Sequence, residues 1–250
     1  MSAEMTSLSR GGWSLQVWAR IAGVLILLSI LGGGFGEAFA PAQIIVSGDA
    51  AATAHHVVAS NALFRVGFAA YTLEGLCDVA LSAAFFVLIR QINIGLAVVF
   101  LMTHLMATAV FAFAEVFYFA PAFILSGDSY LKSFTTDQLN TLALLSLNVY
   151  GFAGGFSELF YGMGSVLLGY MVFRSEILPR LLGILWVISG VAFAAETYVI
   201  VLAPGYDSPI YALPTILTLV LTAGWLLAKG VDSRWAEALS GTGAPAAAAG

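Results

Sequence analysis

Residues 94–119 read IGLAVVFLMTHLMATAVFAFAEVFYF, an unbroken apolar run without a lysine or arginine, interrupted only by His104 and Glu115. A helix rising about 1.5 Å per residue needs roughly 20 such residues to cross about 30 Å of hydrocarbon, and this run is longer than that. It is continuous and does not alternate, which separates it from the strands of a membrane barrel, about ten residues each. Five other stretches share its character, near 17–40, 62–89, 145–173, 181–203 and 209–229.

Composition agrees with that reading. Of 250 residues, 60% are hydrophobic and 9% charged, too little polar surface to clothe a water-soluble globule. The predicted fold is all-α: a polytopic membrane bundle of six transmembrane helices, probing as three tandem hairpins with short helices on the outer surface. The predicted division is an N-terminal segment at 1–16, a six-span domain at 17–231 and a low-complexity tail at 232–250 that ends in SGTGAPAAAAG.

The first span has a rival reading as a cleaved leader, since Arg10 and Arg20 precede an apolar run and Ala38-Phe39-Ala40 resembles a cleavage site. Pro41 directly after the cut and the length of the run from Ile21 to Ala40 argue against it. Cys77 is the single cysteine and cannot form an intrachain disulfide. A net charge of −5 with scattered basic residues offers no surface for nucleic acid.

Six spans put Arg10, Arg20, Arg90, Arg174, Arg180, Lys229 and Arg234 on one side and only Arg65 and Lys132 on the other. The positive-inside rule then predicts a cell-membrane protein, inner or plasma, with both termini in the cytoplasm. Trp13, Trp18, Trp225 and Trp235 fall at the cytoplasmic ends, and Tyr118, Tyr130, Tyr206 and Tyr211 at the outer ends, as an interfacial belt would.

The two longer outer links, near 41–61 and 120–144, both carry Ser-Gly-Asp, at 47–49 and 126–128. Glycine followed by aspartate predicts a turn and a helix N-cap in each. Thr135 and Gln138 have capping-box spacing, and Asp207-Ser208-Pro209 predicts a cap before the last span. Similarity extends into the spans. Gly67, Glu74 and Arg90 match Gly151, Glu158 and Arg174, with intervals of seven and sixteen residues in both. Glu37 before Pro41, Glu115 before Pro121 and Glu196 before Pro204 repeat a second pattern, which predicts three tandem hairpins.

The candidate site residues are Glu37, Glu74, Asp78, Glu115, Glu158 and Glu196, the acidic residues inside the spans, together with Arg65 and His104. Glu37, Glu74, Glu158 and Glu196 each lie sixteen or seventeen positions from Arg20, Arg90, Arg174 or Arg180. That separation is about 24–26 Å along a helix, so the four are predicted to form one layer in the outer third of the membrane. Glu115 lies higher, and Asp78 one turn deeper than Glu74 on the same face. The pairs Gly32/Gly36 and Gly151/Gly155 have GxxxG spacing, which lets helices approach closely and turns the neighbouring carboxylates inward.

Ionisable groups inside a membrane are costly, which favours a site for a cation, a proton or a small amine ligand, with Arg65 and His104 as further partners. The alternative is structural: each carboxylate bonds a nearby hydroxyl and locks helices together in an assembly protein without ligand. An intramembrane enzyme using Glu or Asp with His104 is the least favoured reading. One intramembrane histidine is too few for bis-histidine haem and short of a usual zinc hydrolase set, and His55 and His56 fall in the first outer link. There is no intramembrane lysine for a Schiff base and no Walker, GxSxG, HExxH or CxxC motif. No cofactor follows from these residues, and the lipid bilayer is the one partner that does.

The stretches ARIAGVLILL at 19–28, VSGDAAATA at 46–54 with LFRVGF at 63–68, LCDVALSAAFFVLIR at 76–90 and FRSEILPRLLGILWVISG at 173–190 resemble the bacterial membrane proteins grouped as domain of unknown function 4386. The resemblance runs from about 15 to 231 and implies a six-span membrane protein. It supplies no site residues. NVYGFAGGFSELFYGMG at 148–164 is richer in glycine and aromatics than that resemblance implies.

Overall fold

The computed structural model describes residues 13–175, 177–206 and 208–232. Arg10, Glu176, Asp207, Arg234, Trp235 and the low-complexity tail lie outside the described residues. Seven helices organise the rest: α1 (Leu15–Ile44), α2 (Ala50–Ala59), α3 (Asn61–Ile89), α4 (Ile94–Ile124), α5 (Thr136–Ser175), α6 (Arg180–Leu202) and α7 (Ile210–Ala228). All but α2 are long and apolar enough to cross a membrane.

Local chemistry sets the helix starts. Ser14 caps α1 by accepting from the Val17 amide at 3.3 Å, and Asn93 caps α4 by accepting from Leu96 at 3.0 Å. Gly48 takes φ +76°, which turns the chain so that Asp49 accepts from Ala52 at 2.9 Å and opens α2. Thr135 and Gln138 form the expected reciprocal capping box, at 2.8 and 3.3 Å. That box begins α5 itself, so the fourth span starts at Thr136, not near 145, and the short helix expected in the second outer link is a 3-10 turn at Ser129–Ser133 ahead of it. Asp128 does not cap either; it follows Gly127 at φ +78° and accepts from Ser126 at 2.7 Å. In the third link Ser208 does the capping, accepting from Ile210 at 3.4 Å.

Each long helix packs on the next one in the chain, and α7 returns to pack on α1, so the six make a closed ring. At 40 residues, roughly 60 Å, α5 projects well beyond the hydrocarbon, and α2 lies against its projecting part. Arg20, Arg90, Arg174 and Arg180 mark one end of the ring, here the basic end. Inside that half, Phe85, Phe100 and Trp186 meet edge to face among Ile26, Leu88 and Leu168. The Trp186 indole N–H donates to Thr222 Oγ1 at 3.1 Å, so the indole is not left unpaired. Gln16 bonds both the carbonyl and the amide of Val231, at 2.8 and 3.3 Å, and ties the two ends of the bundle together.

The surface pointing away from the ring is apolar, with Leu31, Leu76, Met102, Phe113 and Leu202 exposed. Apolar residues on that scale are a surface for lipid. One member of the expected aromatic belt is misplaced: Tyr118 is 1% exposed and stacks on Phe64, whereas Tyr130 and Tyr206 are exposed as expected. Tyr118 stands on the inner face of α4, and its ring completes a second core with Phe64, Tyr71, Leu147 and Tyr150 in the half away from the basic end.

Candidate functional site

Glu37 lies in the part of α1 where the helix widens. Gly34–Phe39 is π-helical, with the Ala40 amide bonding the Phe35 carbonyl five residues back. The cause is close by. Pro41 has no N–H for the Glu37 carbonyl, and its ring would press on that carbonyl in a regular helix; the wider turn makes room. The helix therefore runs through Pro41 to Ile44, beyond the end near 40 expected from the sequence.

Around this turn α1 and α3 touch backbone to backbone. A Cβ on Gly36 would stand 2.9 Å from the Gly67 carbonyl, and one on Gly32 would stand 3.0 Å from the Ala70 carbonyl. The expected GxxxG contact is thus present here. A Cβ on Gly33 would collide with the Glu74 carboxyl, so the missing side chain leaves the space that this carboxyl fills. The second GxxxG pair behaves differently: Gly151 faces open space and only Gly155 meets a neighbour, Ile200. The tight α5–α6 seam is made instead by Gly162 against Gly190 and Gly169 against Gly183, where a Cβ on Gly162 or Gly169 would be 2.5 Å from the facing carbonyl. Four glycines at seven-residue intervals on two adjoining helices were legible in the sequence and not singled out.

Four carboxyl groups act on one another electrostatically: Glu37 from α1, Glu74 and Asp78 from α3, and Glu115 from α4. Asp78 accepts from Ser29 Oγ at 2.9 Å, and Glu115 accepts from Thr72 Oγ1 at 3.2 Å. Glu37 lies within electrostatic reach of Tyr71, and Tyr71 within reach of Tyr150 of α5. Glu74 Oε2 is buried with no hydrogen-bond partner. Groups from two other helices, Tyr71 and Asp78 of α3 and Glu115 of α4, act on the Glu37 carboxyl. Glu158 and Glu196 belong to the neighbouring α5–α6 pair and are half-buried beside the glycine seam, where Thr197 donates to the Gly155 carbonyl at 2.7 Å. Glu37, Glu74, Asp78 and Glu115 thus form one mutually interacting set.

Arg65, expected as a counter-charge, turns elsewhere: its Nε donates to Asn61 at 2.8 Å and its guanidinium covers the Phe119 ring at 5.5 Å. His104 is buried between Phe100 and Tyr161, with ring centroids 4.3 and 4.5 Å away, and rests in the notch left by Gly164. Its Nε2 has no partner. Tyr161 is the link to the acidic set, since it also lies within electrostatic reach of Asp78 and Glu74. Among the described residues, no three His, Cys, Asp or Glu side chains stand close enough together to hold a metal ion.

Reading the residues alone missed Tyr71, Tyr150 and Tyr161. Tyr71 could have been found, because it precedes Glu74 by three positions and Asp78 by seven and so shares their helix face. Gly67 and Gly151, equivalent in the internal repeat, have unlike surroundings: the first is wedged against Ala40 and Tyr118, the second is open.

No curated protein and no solved structure matches the chain. The family described as domain of unknown function (DUF4386) matches residues 21–230, most of the chain, and the chain belongs to that family.

Proposed function

We propose that the protein binds a cation, a proton or a small amine at the carboxyl cluster of Glu37, Glu74, Asp78 and Glu115. The observation that carries this reading is charge without compensation. Four carboxyls from three helices act on one another, Glu74 Oε2 has no partner, and Arg65 is engaged with Asn61 and Phe119. Like charges held together inside a membrane protein repel and are poorly solvated, so a ligand that neutralises them stabilises the fold. With the basic end in the cytoplasm, as the lysine and arginine distribution favours, the cluster lies toward the outer side of the cell membrane.

A purely structural role is the second reading, and the Ser29–Asp78 and Thr72–Glu115 bonds support it. The two separate on one measurement, the melting temperature of purified protein in nanodiscs across pH and across added cations. Under the binding reading, acid or a cation raises the wild-type melting temperature, and Glu74→Gln removes most of that response at unchanged helix content. A wild type indifferent to both, or a Glu74→Gln variant with the full response, leaves the structural role alone.

A further inference from the structure

We infer that the seam where α7 closes the ring on α1 binds one anionic phospholipid, its phosphate held by Arg20 and Lys229 and an acyl chain lying in the gap beside Gly224. The seam meets the headgroup layer at the basic end, apart from the carboxyl cluster, and two cations are brought together there. A guanidinium nitrogen of Arg20, on α1, lies 3.5 Å from the Ala228 carbonyl at the end of α7, and the residue that follows is Lys229, whose ammonium stands 5.7 Å from the Trp225 ring centroid. That one long bond leaves most of the five guanidinium donors unspent. Both side chains are exposed, and among the described residues neither has an acidic partner. Asp232, three residues after Lys229, stands at the α5–α6 link, where its amide donates to the Ile177 carbonyl at 3.2 Å. Like charges held together attract an anion, and the anion at the headgroup level of a membrane is a lipid phosphate.

The apolar part of the seam fits the rest of such a lipid. On α1, Val24, Leu27 and Leu31 follow Arg20 at intervals of four, three and four residues, and all are exposed. On α7, Leu217, Leu221 and Gly224 lead to Ala228 at the same intervals, and they are exposed too. Those intervals put each set on one face of its helix, and the Arg20–Ala228 contact sets the two faces side by side. Gly23 against Leu227 makes the floor between them, since a Cβ on Gly23 would stand 2.8 Å from Leu227 Cγ. A Cβ on Gly224 would have nothing within 4 Å, so a gap one side chain wide opens beside that floor. From Arg20 to Leu31 the face runs about 16 Å along the helix, the depth of one leaflet in a hydrocarbon layer of about 30 Å. Cations at one end and a leaflet's length of apolar groove beyond them suit a phospholipid; a free phosphate would use the cations alone.

The test places the protein in nanodiscs of phosphatidylcholine, alone or with an equal part of phosphatidylglycerol, and reads the melting temperature and, by native mass spectrometry after transfer to detergent, the lipid retained. Wild-type protein melts several degrees higher with phosphatidylglycerol and retains it in preference to phosphatidylcholine. Arg20→Gln and Lys229→Gln each weaken that preference about fivefold, as loss of one cation near an anionic lipid implies. Arg90→Gln removes an exposed cation from the same end, at the α3–α4 link, and leaves the preference unchanged. Gly224→Leu fills the gap, keeps both cations and lowers retention of phosphatidylglycerol at unchanged helix content. An equal loss in Arg90→Gln would reduce the effect to diffuse attraction at the basic end and overturn the site. So would an unchanged preference in the Arg20→Gln, Lys229→Gln double variant, or full retention in Gly224→Leu. Inorganic phosphate that stabilises the phosphatidylcholine sample as strongly, at matched ionic strength, would make the ligand a free anion and overturn the lipid assignment.

Discussion

Single glycines decide how close the helices come, and what each one faces decides what replacing it does. A methyl on Gly33 meets the end of the Glu74 side chain, which can swing aside, so Gly33→Ala should fold normally yet lose the cation-dependent stabilisation by displacing that carboxyl. A methyl on Gly190 meets the Gly162 carbonyl and the Val166 backbone, which cannot move without separating α5 from α6. Gly190→Ala should therefore destabilise by about 1–3 kcal/mol in a denaturant titration. Gly151 meets nothing, and Gly151→Ala should be neutral or stabilising by about 0.5–1 kcal/mol, from the helix preference for alanine alone. The reverse order of stability for Gly151→Ala and Gly190→Ala would contradict the packing described. The GxxxG spacing was equally visible at 32/36 and 151/155; both glycines of the first pair meet a helix and only Gly155 of the second does, because spacing fixes a face of the helix and not what lies against it.

At the scale of an element, the π-helical turn at Gly34–Phe39 carries Glu37 of the carboxyl cluster. One extra residue in a turn rotates everything beyond it by about 100° relative to a regular helix. If Pro41 holds the turn open, Pro41→Ala lets Gly34–Phe39 relax toward α-helix and carries Glu37 away from Tyr71. The expected outcome is a weakened cation or acid response with helix content unchanged by circular dichroism; an undiminished response would assign the wide turn to the glycine run instead of to proline. Both Pro41 and the glycines could be read from the sequence, the first as a helix end and the second as a helix contact. The helix continues with Gly32 and Gly36 packed on α3 before and within the turn and Ala40 against Gly67 after it.

Across the whole molecule, the ring places α1 beside α7 and brings Gln16 to Val231, so the described start and end of the chain share the basic end. In a background with Cys77 replaced, cysteines at Ala52 and Ser133 should react with an impermeant reagent added outside intact cells, and those at Gln91 and Lys229 only after permeabilisation. Labelling of Lys229→Cys from outside would reverse the proposed orientation and the side of the membrane on which the cluster lies. The sequence by itself determined the six helices, their order and which groups are costly to bury, since run length, apolarity and caps are local properties of the chain. It also determined that Glu74 and Asp78 share a face, because both stand on one helix. Only the tertiary structure decided that Glu37 and Glu115 join them, that Glu158 and Glu196 belong to the α5–α6 pair, that Arg65 turns to Asn61, and that Tyr118 is core and not belt. Each of those depends on the rotation of one helix against another, and in a uniformly apolar chain that rotation is set by steric fit between distant glycines and aromatics, which leaves no periodic mark to read.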